Sequence, residues 1–106
     1  MNHTPSSTDD EPVVLINVYR CEEARQTELM EHLELMLKVQ RDLQGFVSAT
    51  LHRGLNGKTA AVHSIWLSRD HWKVMARHPS IMARLEPIMA LATFEPNLYE
   101  PGEVID

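Results

Sequence analysis

The order of elements in this sequence predicts an α+β fold: strand, helix, strand, strand, helix, strand. That is the ferredoxin-like βαββαβ arrangement, with a four-stranded antiparallel sheet. Three observations carry the prediction. The dipeptide Asn56-Gly57 sits between two alternating runs, "GFVSATLHR" and "TAAVHSIW", and is the strongest short-range sign of a hairpin. Apolar residues at helical spacing flank that hairpin on both sides, Leu29, Leu33, Met36, Leu37 and Leu43 before it, Ile81, Leu85 and Ile88 after it. An apolar run opens the domain near Val13, and a run containing Pro96 closes it near Tyr99.

The first strand spans about Val13 to Arg20. Val13 and Leu15 fall on one face, and Val14, Ile16 and Val18 on the other, so both faces need cover. Asn17 is the one polar interruption. A helix follows over about Glu22–Leu43, with Gly45 near its end as a stop signal. A type I′ turn at Asn56-Gly57 pairs Leu55 with Lys58, Arg53 with Ala60, Leu51 with Val62, Ala49 with Ser64 and Val47 with Trp66. Val47, Ala49, Leu51, Arg53, Ala60, Val62, Ser64 and Trp66 then share one face, and Phe46, Ser48, Thr50, His52, Ala61, His63, Ile65 and Leu67 the other. Any bulge would swap part of this assignment. Ser68 is a suitable N-cap for a helix from Arg69. His78-Pro79 interrupts it, because a residue before proline avoids the α region. Helix resumes over Ser80–Leu91, kinked at Pro87. The last strand, Thr93–Tyr99, carries Pro96 and is therefore an edge or bulged strand.

The chain has 106 residues, enough for one domain. The expected boundaries are a mobile polar tail over 1–12, the domain over 13–100 and a C-terminal tail over 101–106. A net charge of −5 argues against a nucleic-acid footprint, which needs a basic patch. The single cysteine, Cys21, excludes an internal disulfide and a cysteine-rich zinc site, and a cytoplasmic setting is expected. No apolar run reaches the ~18–20 residues of a membrane helix, and no signal peptide is recognisable. The sequon at Asn2-His3-Thr4 has no consequence without one.

The helices can cover only one face of the sheet. The other face of strand one is apolar too, so a second copy of the chain is the expected lid and a homodimer the expected assembly, its two sheets face to face.

"GFVSATLHR", the Asn-Gly turn, a strand ending in Trp66 and a helix from Ser68 together resemble the antibiotic biosynthesis monooxygenase family. The resemblance spans about Val13 to Tyr99, with Gln44 where proline is common. It implies a dimeric α+β barrel. Its best-known branch oxidises anthrone-type aromatic polyketides with O2 and uses no cofactor and no metal. Deprotonated anthrone is electron-rich enough to react with O2 unaided, so the protein need supply only a dry apolar slot, a proton relay and donors for the developing oxyanion.

On that resemblance the catalytic candidates are Asn17 and Trp66, expected to project into one cavity. Asn17 offers an amide donor on strand one; its alternative role is to satisfy backbone groups at a strand edge. Trp66 offers an indole N–H and a flat wall; its alternative role is a core anchor. The branch carries asparagine four residues before the tryptophan, where this chain has Val62. Trp72 retains an aromatic six residues after it, and Arg84 is nearest to an arginine on the last helix. Leu51, Val62, Met36 and Met75 complete the expected binding wall. Met30, Met36, Met75, Met82 and Met89 suit core packing or an adaptable pocket for a planar ligand.

His52 and His63 fall on the hairpin face away from Trp66, as interface or surface groups or as acid–base groups. His71 and His78 lie about two helical turns apart, too far to share a metal ion. His32 belongs to the solvated side of helix one and His3 to the tail. A haem-degrading branch is discounted, because Met75 and Leu85 stand where its tryptophan and histidine are expected. Three functions remain open: a cofactor-independent oxygenase, a polyketide cyclase on the same barrel, and a non-catalytic small-molecule binder.

Overall fold

The computed structural model describes residues 10–106, so most of the tail expected over 1–12 lies outside the described residues. The chain forms β1 (Val13–Cys21), a short 3-10 turn (Glu23–Arg25), α1 (Gln26–Gln40), β2 (Phe46–Arg53) and β3 (Thr59–Trp66). It continues with α2 (Arg69–Ala76), α3 (Pro79–Leu91), β4 (Ala92–Thr93) and β5 (Leu98–Tyr99). The sheet order is β2-β3-β1-β4, with β5 also on β1, and every pairing is antiparallel. This is the ferredoxin-like α+β fold, with its most apolar strand, β1, in the interior of the sheet.

Alternation along β1 sorts its side chains from Leu15 onward. Val13, Leu15, Asn17 and Tyr19 are buried beneath the helices. On the outward face Val14 is buried too, at 9%, whereas Ile16 and Val18 remain 38% and 37% exposed. β3 behaves likewise: Ala60, Val62, Ser64 and Trp66 are all buried, and the alternate residues are not. Leu29, Leu33 and Met36 press α1 against this inner face, joined by Ile81 and Ile88 from α3.

The hairpin departs from expectation in two places. Its turn is not type I′, because no non-glycine residue among those described has positive φ and Asn56 is therefore excluded from that geometry. A four-residue loop, Leu55 to Lys58, is closed by Gly54 N–H donating to Thr59 O at 2.8 Å, with Gly57 in the left-handed region at φ 78. Asn56 Oδ1 accepts from Lys58 N–H at 2.8 Å and from the Thr59 hydroxyl at 3.0 Å. The longer loop is centred where the two-residue turn would be, so the pairs Arg53–Ala60, Leu51–Val62 and Ala49–Ser64 hold. The second departure is a bulge at Val47: Ser48 pairs with Ile65, but Phe46 pairs with Trp66. Phe46 thus moves to the inner face and Val47 is displaced to solvent, 49% exposed. The rings of Phe46 and Trp66 meet edge-on, centroids 5.4 Å apart.

The remaining differences concern ends. Helix one starts as 3-10 turn and its α-helical part stops at Gln40, short of Leu43. Ser68 caps α2 by accepting from His71 N–H at 3.1 Å. Pro79 occupies the first position of α3, where its missing N–H costs nothing, and Pro87 lies within that helix. The expected strand Thr93–Tyr99 is split, because Pro96 has no N–H to contribute. Between the halves, Phe94 to Asn97 crosses beside β1, held by Ile16 N–H to Asn97 O at 3.1 Å.

Candidate active site

Between the sheet and the helices lies a cavity of about 410 Å³, within the range of small-molecule sites. Its floor is Leu15, Asn17 and Tyr19 of β1 with Val62 of β3. Met36, Leu37 and Gln40 of α1 form one side. Trp72, Met75 and Ala76 of α2 form another, and α3 contributes Ile81, Leu85 and Met89. Phe94 and Pro96 close the end. Nearly all of these are apolar, so the few polar groups determine what the cavity can do.

Asn17 and Tyr19 are neighbours on one face of β1 because residues two apart point the same way. Asn17 is 4% exposed. Its Nδ2 donates to the Tyr19 hydroxyl at 3.4 Å, and its Oδ1 accepts from Asn97 N–H at 3.3 Å. One Nδ2 hydrogen therefore remains for a ligand, as does the Tyr19 O–H, which finds no acceptor among the described residues. Burial raises the Tyr19 pKa above its ordinary value of 10.0, and the hydrogen bond from Asn17 partly offsets this. Tyr19 is accordingly neutral, and a donor, throughout the physiological range.

The expected site residues divide. Asn17, Val62, Met36, Met75 and Trp72 meet in the cavity. Asn17 and Val62 are direct cross-strand partners. Trp66 does not join them. It lies four residues beyond Val62 on β3, about 13 Å along the strand, opposite Val13 rather than Asn17. It is fully buried against Phe46, and its Nε1–H has no hydrogen-bond partner among the described residues. Its position is that of a core anchor. Leu51 pairs with Val62 but lines a separate groove with Glu34, Leu37, Lys38 and Phe46. Arg84 is exposed on α3; Leu85, one residue on and about 100° around the helix, faces the cavity instead.

Two polar lining residues, Tyr19 and Gln40, were missed by sequence reasoning, although both carry a signal. Tyr19 follows Asn17 by two. Gln40 continues the stripe Leu29, Leu33, Met36 at helical spacing and is 4% exposed, a polar residue at a core position. Its Oε1 is buried without a partner.

None of the described histidines lines the cavity. His71 Nδ1 is 2.7 Å from Ser68 Oγ, and His78 Nδ1 accepts from Ser80 N–H at 3.2 Å. Among the described residues no three His, Cys, Asp or Glu side chains gather as a metal site would require. No helix among the described residues is long and apolar enough to cross a membrane.

Comparison with known proteins agrees with the family resemblance. The chain is 32% identical over 74 residues to the tetracenomycin-F1 monooxygenase of Streptomyces glaucescens. The match spans 69% of this chain and 62% of that protein's length. No protein-family model matches the chain. Among solved structures, SnoaB, a cofactor-independent oxygenase from Streptomyces nogalater, superposes with a TM-score of 0.80 at 18% identity, over 90% of this chain and 97% of that one. Rv0793 from Mycobacterium tuberculosis gives 0.79 at 17% identity, over 91% and 100%. A Chloroflexus aurantiacus protein proposed to be an antibiotic biosynthesis monooxygenase gives 0.75 at 15%, over 91% and 98%. The chain thus has the α+β fold of these proteins.

Proposed function

We propose that this protein is a cofactor-independent monooxygenase of the antibiotic biosynthesis monooxygenase family, acting on an anthrone-type aromatic polyketide with O2. The observation that carries the reading is a cavity walled almost wholly by apolar side chains, with amide and phenol donors side by side on its floor. The tetracenomycin-F1 monooxygenase relative and the SnoaB fold support the oxygenase over the cyclase and the binder. The functional unit is the domain over 13–100, and the setting is cytoplasmic.

Loss of a proton from the anthrone methylene gives a carbanion whose charge rests largely on the ring carbonyl oxygen. Asn17 Nδ2–H and the Tyr19 O–H, adjacent on the cavity floor, donate to that oxyanion in this reading. The carbanion transfers one electron to O2, and the two radicals combine as a peroxide. Loss of the second methylene hydrogen cleaves the O–O bond: one oxygen stays as the new carbonyl and the other leaves as water. Four electrons are thereby exchanged, with no external reductant. Met36, Met75 and Trp72 exclude water from around the reacting ring.

Oxygen uptake with an anthrone tests this. One O2 consumed per quinone formed is expected. Binding without uptake, or cyclised product from a poly-β-ketone under strict anaerobiosis, overturns it.

The working assembly is a homodimer. Ile16, Val18, Phe94 and Tyr99, flanked by the polar Arg20, Glu95 and Asn97, line an open groove of about 520 Å³ on the outward side of β1. A second sheet laid there would bury Ile16 and Val18, each more than a third exposed in one chain, and would have to pair or hydrate the flanking polar groups.

A further inference from the structure

The cavity floor holds donors, and its α1 wall holds an acceptor with nothing to accept. Asn17 has spent its Oδ1 on Asn97, leaving Nδ2–H and the Tyr19 O–H free. Gln40 lines the same cavity from the last turn of α1. Its Oε1 is buried and unpaired, a state that native structures avoid because it forfeits the hydrogen bond to water. A hydrophobic side chain at this place in the stripe would pack without that penalty. The polarity of Gln40 is therefore unexplained by the core, and because the residue lines the cavity a ligand there is the candidate partner.

We infer that Gln40 determines substrate specificity by accepting a hydrogen bond from a hydroxyl on the ligand. The ligand class that satisfies the whole cavity is a flat aromatic ketone bearing a peripheral phenolic hydroxyl. Its carbonyl meets Asn17 and Tyr19 at the sheet, its hydroxyl meets Gln40 at the helix, and its rings fill the space between Met36, Met75 and Trp72. This rests on the proposed oxygenase function for the reaction, but the recognition itself needs no turnover. An analogue without the hydroxyl leaves Oε1 unpaired, and sites of this kind discriminate strongly against such analogues.

The test is binding, followed by quenching of Trp72 or by calorimetry, of a hydroxyanthraquinone with one peripheral hydroxyl against plain anthraquinone. The quinones are already oxidised, so the outcome is independent of oxygenase activity. Wild type is expected to prefer the hydroxylated probe by roughly tenfold to a hundredfold. Gln40→Met keeps the length of the side chain and removes the acceptor. It should bind both probes equally, losing affinity for the hydroxylated one only. Its Tm should hold or rise, because an unsatisfied buried group has gone. No preference in wild type overturns the assignment, as does a preference that survives Gln40→Met. A lowered Tm with loss of both probes in Gln40→Met also overturns it, in favour of a packing role. If the preference is found but oxygen uptake is absent, the oxygenase reading fails and this one stands.

Discussion

Replacing Asn17 with alanine separates two jobs that this side chain holds at once. Its Oδ1 ties down the crossing segment through Asn97 N–H, and its Nδ2 reaches the Tyr19 hydroxyl and the cavity. Asn97 is exposed, so water can replace the lost bond at little cost. Tyr19 is only 2% exposed and loses its one partner. Leaving a buried hydroxyl unsatisfied costs about 1–3 kcal/mol. The 3.4 Å separation marks a weak bond, which places the loss near the low end, about 1 kcal/mol or a Tm drop of roughly 4–8 °C. The kinetic loss should be larger. Removing one oxyanion donor costs on the order of 10²–10³ in kcat, about 3–4 kcal/mol, with KM little changed. Asn17→Asp provides the control: it keeps an acceptor for Asn97 N–H but aims a carboxylate at the developing anion, so the crossing segment should stay in place while turnover falls further. An oxygen electrode with an anthrone measures the rate, and thermal unfolding measures the stability. If Asn17→Ala lowers the Tm as expected and leaves kcat at the wild-type value, Asn17 is only a fastening for the segment and the oxyanion assignment is wrong.

Val62→Asn places a second amide directly across from Asn17; oxygen consumption should rise if the pocket is an oxygenase site short of one donor, and an unchanged rate with the fold intact would favour a cyclase or a binder. Trp66→Phe should cost stability through lost volume yet leave turnover unchanged, whereas Trp72→Ala should impair turnover or substrate binding; the reverse pattern would return Trp66 to the site. Gly45→Ala should destabilise by more than about 1 kcal/mol, because Gly45 sits at φ 91 and an added Cβ would collide with the His71 ring; a melting point equal to wild type would contradict that crowding.

The parts of the fold carried by periodicity were legible. The two-residue period of β1 and β3 and the helical stripes of α1 and α3 each announced an inner and an outer face, and the structure keeps both. What escaped was set by small local choices with long consequences. One displaced residue, Val47, turns Phe46 onto Trp66. The strand order brings Trp66 and Asn17 to one face of the sheet, as expected, but a face has length, and about 13 Å of strand separates Trp66 from Val62. Gln40 was overlooked because apolar residues were followed along the stripe and the polar one within it was passed over. Arg84 and Leu85 differ by a single helical step, which no loose family match can resolve.

β1 is the strand that the proposed site and the proposed dimer interface share. Asn17 and Tyr19 face the cavity, and Ile16, Val18 and Arg20 face outward, so neighbouring residues serve the two functions. A partner sheet over Ile16 and Val18 would fix the strand from behind and hold the Asn17 amide in place. Ile16→Glu tests the coupling. About a third of the Ile16 surface is open in one chain, and completing its burial is worth less than about 1 kcal/mol, scaled from full burial of such a side chain. A carboxylate forced into that interface without a partner costs several times more. The variant should therefore remain folded but sediment as a monomer at concentrations where wild type is a dimer. Turnover should fall with dissociation and recover as protein concentration is raised, although position 16 touches nothing in the cavity. A wild-type chain that sediments as a monomer would dispose of the dimer. A dissociated Ile16→Glu with full activity would retain the dimer but show that the site is complete within one chain.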